Sequence, residues 1–171
     1  EYYNYDIYLY SFLEAGQSVN QPGKPDYIKE IYSAVPLNTL QKAGNALRHS
    51  LVGRSRWSIQ SSMYISEMNK ANIRKLIAEL KPDAIIVDMI RLNHYYEALS
   101  DYNGPKILFM EDALSKRYPR QMKQKSAKAD ITGRYGANLP KFIRRMVNSA
   151  VLRNFVLSLE TKRLETEEVE A

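Results

Sequence analysis

An α/β fold, doubly wound around a mainly parallel sheet, is predicted by three features of this sequence. They are two uninterrupted apolar runs that end in acidic residues, a helix-length segment between them, and a strand–helix alternation around them. The first run is Ala84-Ile85-Ile86-Val87, inside a strand expected over Asp83–Asp88. The second is Ile107-Leu108-Phe109-Met110, inside a strand expected over Lys106–Asp112. Continuous apolar runs, as opposed to alternating ones, predict strands buried on both faces beneath helices. Arg91–Asp101 is long enough for a short crossover helix, closed by Asn103-Gly104-Pro105.

The elements before this core follow in order. Asp6–Phe12, rich in aromatic and branched residues, reads as a strand. Glu14–Pro25, with its glycines and prolines, reads as a loop, and a second strand is expected over Ile28–Val35, stopped by Pro36. Leu37, Leu40, Ala43, Leu47 and Leu51 recur at helical spacing, with Gly53 as a stop. Arg54–Tyr64 has no period and reads as a connector, in which Trp57 is a packing or surface aromatic. Ser66–Leu80 is a strong helix: Ser66 suits the N-cap, Met68, Ile73, Leu76, Ile77 and Leu80 share a face, and Pro82 lies just beyond.

Beyond the second acidic strand end, Ala113–Gln124 reads as a helix interrupted by Pro119, and Lys125–Pro140 as a basic, glycine-containing loop. Leu139–Phe155 is amphipathic: Phe142, Ile143, Met146, Val147, Val151 and Phe155 on one side, Lys141, Arg144, Arg145 and Arg153 on the other. A further helical stretch runs through Leu157, Leu159 and Leu164 to the acidic end.

Composition narrows the function. The 171 residues suit one domain with a core of its own, and 44% hydrophobic content is ordinary for a globular chain. With no cysteine, disulfides and thiol-based nucleophile or metal sites are excluded. The two histidines, His49 and His94, have no ligand spacing, so no metal is expected, and His94 reads as a polar residue of the crossover helix. The net charge of +6 is unevenly placed. Between Lys116 and Arg153 eleven basic residues face one acid, Asp130, which implies an anionic partner: phosphate, a membrane surface or nucleic acid. No nucleic-acid motif accompanies that block, and most of the thirteen tyrosines lie in expected strands and helices, so nucleic acid is not expected.

Ligands of open α/β sheets bind outside the carboxyl ends of the strands. Asp88, Arg91, Glu111 and Asp112 all fall there. Asp112 also fits the N-cap of the helix after it, and Asp88 with Arg91 also fits a local ion pair. Lys141, Arg144 and Arg145 are candidates for a membrane surface, with packing of the apolar stripe against the sheet as the alternative.

The segment from Lys81 to Tyr118 resembles the N-terminal domain of GT-B glycosyltransferases, closest to the retaining family 4 of bacterial exopolysaccharide and cell-envelope synthesis. The likeness lies in Asp88, Arg91-Leu92 and Tyr95-Tyr96, then Glu111-Asp112-Ala113-Leu114-Ser115-Lys116-Arg117-Tyr118, and in Glu160, Arg163 and Glu165 of a terminal Glu-x-x-Arg-x-Glu. It implies a Rossmann-like fold, incomplete here. The family's first strand with its glycine-rich loop and its donor domain have no counterpart, so a single acceptor-side domain over residues 1–171 of a longer protein is expected. It also implies sugar transfer from a nucleotide sugar, a substrate and not a cofactor, to a glycan or lipid-linked acceptor. Asp112 would be the cleft acid, Asp88, Arg91 and Glu111 would meet the acceptor, and Arg117 a phosphate. The expected location is cytoplasmic, at the inner face of the membrane. The alternative is a basic α/β module that binds an anionic membrane surface or nucleic acid without catalysis.

Overall fold

A computed structural model describes residues 5–13, 17–20, 23–51, 57–110, 115, 116, 119 and 150–170. The described chain is mixed α/β, with its strands in two parallel pairs. Strand β1 (Ile7–Ser11) pairs with β2 (Ile28–Ser33), and β3 (Ile85–Asp88) with β4 (Lys106–Phe109). Helices α1 (Thr39–Ala46), α2 (Ile59–Met63) and α3 (Glu67–Leu80) connect the two pairs. A 3-10 helix (Ile90–Leu99) crosses from β3 to β4, and α4 (Ala150–Glu170) follows. The expected crossover helix is thus present, in its tighter form.

Local chemistry sets the boundaries. Asn38 opens α1 with a reciprocal capping box: its side chain accepts from the Gln41 amide at 2.8 Å, and the Gln41 side chain accepts from the Asn38 amide at 2.9 Å. The last turn of the predicted Leu37–Leu51 helix widens into a π turn over Leu47–Leu51. Ser66 caps α3, accepting from the Asn69 amide at 3.2 Å. At its other end Lys81 takes the left-handed conformation (φ 47°, ψ 57°), and Pro82 prevents continuation. The connector expected over Arg54–Tyr64 contains the one-and-a-half-turn α2, opened by Ser58, whose hydroxyl accepts from the Ser61 amide at 3.1 Å. No apolar period announced that helix because serines fill its buried side.

Burial corrects three expectations. Among the described residues, strands β3 and β4 are not covered on both faces. Their register sets Val87 beside Leu108 on the face toward the helices, and Ile86 beside Ile107, with Asp88 beside Phe109, on the other. Val87 is 9% exposed whereas Ile86 is 65% exposed, so the 3-10 helix and its neighbours cover one face only. Met68, assigned to the buried stripe of α3, is 62% exposed; the fully buried positions of that helix are Asn69 and Lys70. Leu40 and Leu47 of the predicted α1 stripe are likewise exposed. The apolar core instead centres on the 3-10 helix, where Ile90, Tyr95, Ala98 and Leu99 are buried with Ala34, Ile65 and Leu164.

Several polar groups are matched inside that core. Asn69 ties α3 to both N-terminal strand ends: its Oδ1 accepts from the Tyr10 hydroxyl at 2.7 Å and the Val35 amide at 2.8 Å. Its amide group donates to the Val35 carbonyl at 3.1 Å. The side chain therefore completes a two-bond bridge that a neighbouring strand would otherwise supply. The Ser50 hydroxyl lies 2.6 Å from that of Ser62 and donates to the Ser58 carbonyl at 3.1 Å, sealing α2 beneath the π turn.

Candidate functional site at the mouth of β3

The carboxyl end of β3 is where the sequence placed its chemistry, and the backbone there is strained. Met89, directly after Asp88, has φ 75° and ψ 132°, a region that side-chain-bearing residues rarely occupy. Its amide still donates to the Phe109 carbonyl at 2.9 Å, and its carbonyl accepts from the Leu92 amide at 3.0 Å. The residue thus closes the ladder and opens the 3-10 helix in one step, and the positive φ is the cost of so sharp a turn.

Asp88 stands exposed on the open sheet face, beside Phe109. Arg91 follows on the first turn of the 3-10 helix, with a guanidinium nitrogen 3.7 Å from the Met89 sulfur. Among the described residues no ion pair joins Asp88 to Arg91. Asp88 is thus exposed and Arg91 half-buried, three positions apart in sequence and not joined as an ion pair. Lys116 is exposed. Glu111, Asp112, Arg117, Lys141, Arg144 and Arg145 lie outside the described residues, as does most of the helix expected over Ala113–Gln124. Among the described residues no three acidic or histidine side chains gather as a metal would need.

Beneath this mouth lies a polar layer that sequence reading missed. His94 is fully buried, set 4.2 Å from the Tyr95 ring and edge-on to Trp57 at 6.0 Å between ring centroids. Neither ring nitrogen has a partner in hydrogen-bond geometry. Burial drives its pKa down to about 4, assisted by the Lys70 ammonium; the nearby Tyr64 and Arg91 backbone only partly offsets this. Tyr95, whose hydroxyl donates to the Tyr64 carbonyl at 2.7 Å, is pushed up by the same burial. Lys70 bridges Glu97 at 2.6 Å and Glu67 at 2.9 Å. Burial alone would depress Lys70, but its hydrogen bonds to the two glutamates win, and its pKa is raised.

Helix α4 reaches this layer through Glu160. Its carboxylate accepts from the Ile59 amide at 2.7 Å and the Gln60 amide at 3.1 Å, covering the start of α2. Burial raises the Glu160 pKa, against the lowering by these two amides and by Arg163. Further along, Glu168 accepts from the amide and the hydroxyl of Ser115 at 3.1 and 2.5 Å. Glu160 of the Glu-x-x-Arg-x-Glu stretch thus sits at a helix–helix contact, and Arg163 beside it has a buried Nη1 without a hydrogen-bond partner. A buried carboxylate that bonds amides a hundred positions away leaves no spacing signal in sequence, and neither does a histidine enclosed by rings from another segment.

Among the described residues, no helix is long and apolar enough to cross a membrane. Comparison of the chain with known proteins finds no matching family model, no matching curated protein and no matching solved structure.

Proposed function

We propose that this chain is the acceptor-side domain of a GT-B glycosyltransferase, which moves a sugar from a nucleotide donor to a glycan or lipid-linked acceptor in cell-envelope synthesis. The observation that carries the reading is the mouth of β3. Two parallel strands end in register there, and a strained Met89 turns the chain so that Asp88 and Arg91 are both presented beside the strand end. Open α/β domains bind ligands at such a mouth. A carboxylate and a guanidinium that do not pair with each other are suited to the hydroxyls and charges of a sugar acceptor.

In this mechanism Asp88 accepts from acceptor hydroxyls and Arg91 donates to them, and Glu111 shares the acceptor role. Asp112 is the cleft acid near the reacting hydroxyl, and Arg117 meets a phosphate. The donor and its diphosphate are held by a second domain of the longer protein, so this domain by itself positions the acceptor and does not complete transfer. The reaction takes place in the cytoplasm, with peripheral contact to the membrane through Lys141, Arg144 and Arg145.

A transfer assay with a panel of nucleotide sugars, run on the longer protein, tests this. Consumption of one donor is expected, with Asp112→Asn lowering kcat roughly 100-fold or more. Asp88→Asn is expected to raise the acceptor KM and leave the donor KM unchanged. A folded protein that consumes no nucleotide sugar would sink the reading. Unchanged transfer by Asp112→Asn would remove Asp112 from its role.

A further inference from the structure

His94 is an ionisable group that the proposed chemistry does not use, and its surroundings are unusual. The ring is completely buried, both nitrogens lack partners, and it is held between Trp57, from the segment that opens α2, and Tyr95 of its own helix. A neutral imidazole tolerates such a seam. An imidazolium does not, because it brings two N–H donors and a charge into a buried site where neither nitrogen has a partner in hydrogen-bond geometry and the nearby Tyr64 and Arg91 backbone only partly offsets the lost solvation.

The charged groups around it offer no remedy. From α3 comes Lys70, of the wrong sign, with Glu67 bound to it. On the 3-10 helix, Glu97 is engaged by Lys70 at 2.6 Å, Tyr95 is turned to the Tyr64 carbonyl, and Arg91 is another cation. His49, on the π turn, also feels Lys70 and Glu97, and burial, with Arg48 and Lys70, lowers its pKa. Helix α2 carries no ionisable side chain. Asp88 on β3 and Lys106 on β4 are exposed. From α4, Glu160 is committed to the Ile59 and Gln60 amides, with Arg163 beside it.

We propose that His94 is a proton-operated latch: neutral, it closes the seam that holds Trp57 and α2 against the 3-10 helix, and protonated, it opens that seam. The helix released is the one that carries Arg91, so acidification would loosen the mouth of β3. The latch stands on the buried ring and its neighbours and is independent of the sugar-transfer reading.

The sign of the effect follows from the lowered pKa of His94. The closed form is at full strength above pH 6.5, the ordinary histidine value, and weakens as pH falls toward about 4. Across that window the open population rises about tenfold per pH unit, the dependence expected for one proton. Glu160 acts in the opposite direction. Its raised pKa means that protonation relieves a buried charge, so acid favours its closed contact.

Trp57 is the only tryptophan in the chain, so its fluorescence reports the seam directly. Lowering the pH from 7 to 4 at low ionic strength is expected to shift its emission to longer wavelength, reversibly, while far-UV circular dichroism stays near its neutral value. His94→Phe, which fills the seam without titrating, is expected to abolish the shift. Should that variant not fold, His94→Gln serves the same purpose, with the same loss expected. Glu160→Gln is expected to retain the shift. The proposal is overturned if the shift survives removal of the imidazole, if Glu160→Gln abolishes it, or if fluorescence and circular dichroism in the unaltered protein change together with one midpoint.

Discussion

Asn69 shows how one buried polar side chain can do the work of a missing strand. Its two bonds to Val35 and one from Tyr10 join α3 to the ends of both N-terminal strands. Asn69→Ala would leave the Val35 amide and the Tyr10 hydroxyl without that acceptor, and a loss of about 3 kcal/mol is expected. Urea denaturation checks this; a loss below about 1 kcal/mol would mean that water replaces the side chain. Nothing in the sequence separates Asn69 from Asn72 or Asn93. Its role comes from pairing with a residue 34 positions away. The exposed Asp88 and half-buried Arg91 were legible, because strand ends next to apolar runs can be read locally.

At the level of elements, the junction between β3 and the 3-10 helix is the place where regular geometry gives way. A ten-residue 3-10 helix is far longer than the usual single turn, and it begins at a residue with positive φ. Met89 lends little to the core, being 38% exposed, so its side chain does not offset the strain. Met89→Gly is therefore expected to raise stability by about 1 kcal/mol, since glycine accepts this backbone without penalty. Thermal melts would show it as a higher Tm, and a lower one would mean that Met89 packing outweighs the strain. The cap at Asn38 acts over the same three-residue span as the cap at Ser66, and the latter was readable from sequence. The cap that Glu160 places on α2 was not, since it spans 101 residues.

At the scale of the whole molecule, the described residues form two parallel pairs where one sheet was expected, and the β3–β4 pair keeps an open face among them. The asymmetry predicts unequal costs for similar substitutions on one strand. Val87→Ala is expected to cost about 2 kcal/mol and Ile86→Ala less than about 1 kcal/mol, in proportion to the surface each buries. Equal costs in denaturant titrations would mean that the open face is covered in solution, as the sequence's continuous apolar runs had implied.

Sequence alone determined the mixed α/β class, the strand–helix–strand at 83–112 as far as Phe109, the start and stop of α3, and the absence of cysteine chemistry. These rest on propensity, caps and periodicity, which act within a few residues. Only the tertiary structure decided which face of β3 is buried, which polar residues enter the core and that His94 lies there without partners. Burial and partnership belong to groups brought together from distant segments, and no local pattern encodes the energy of such a meeting.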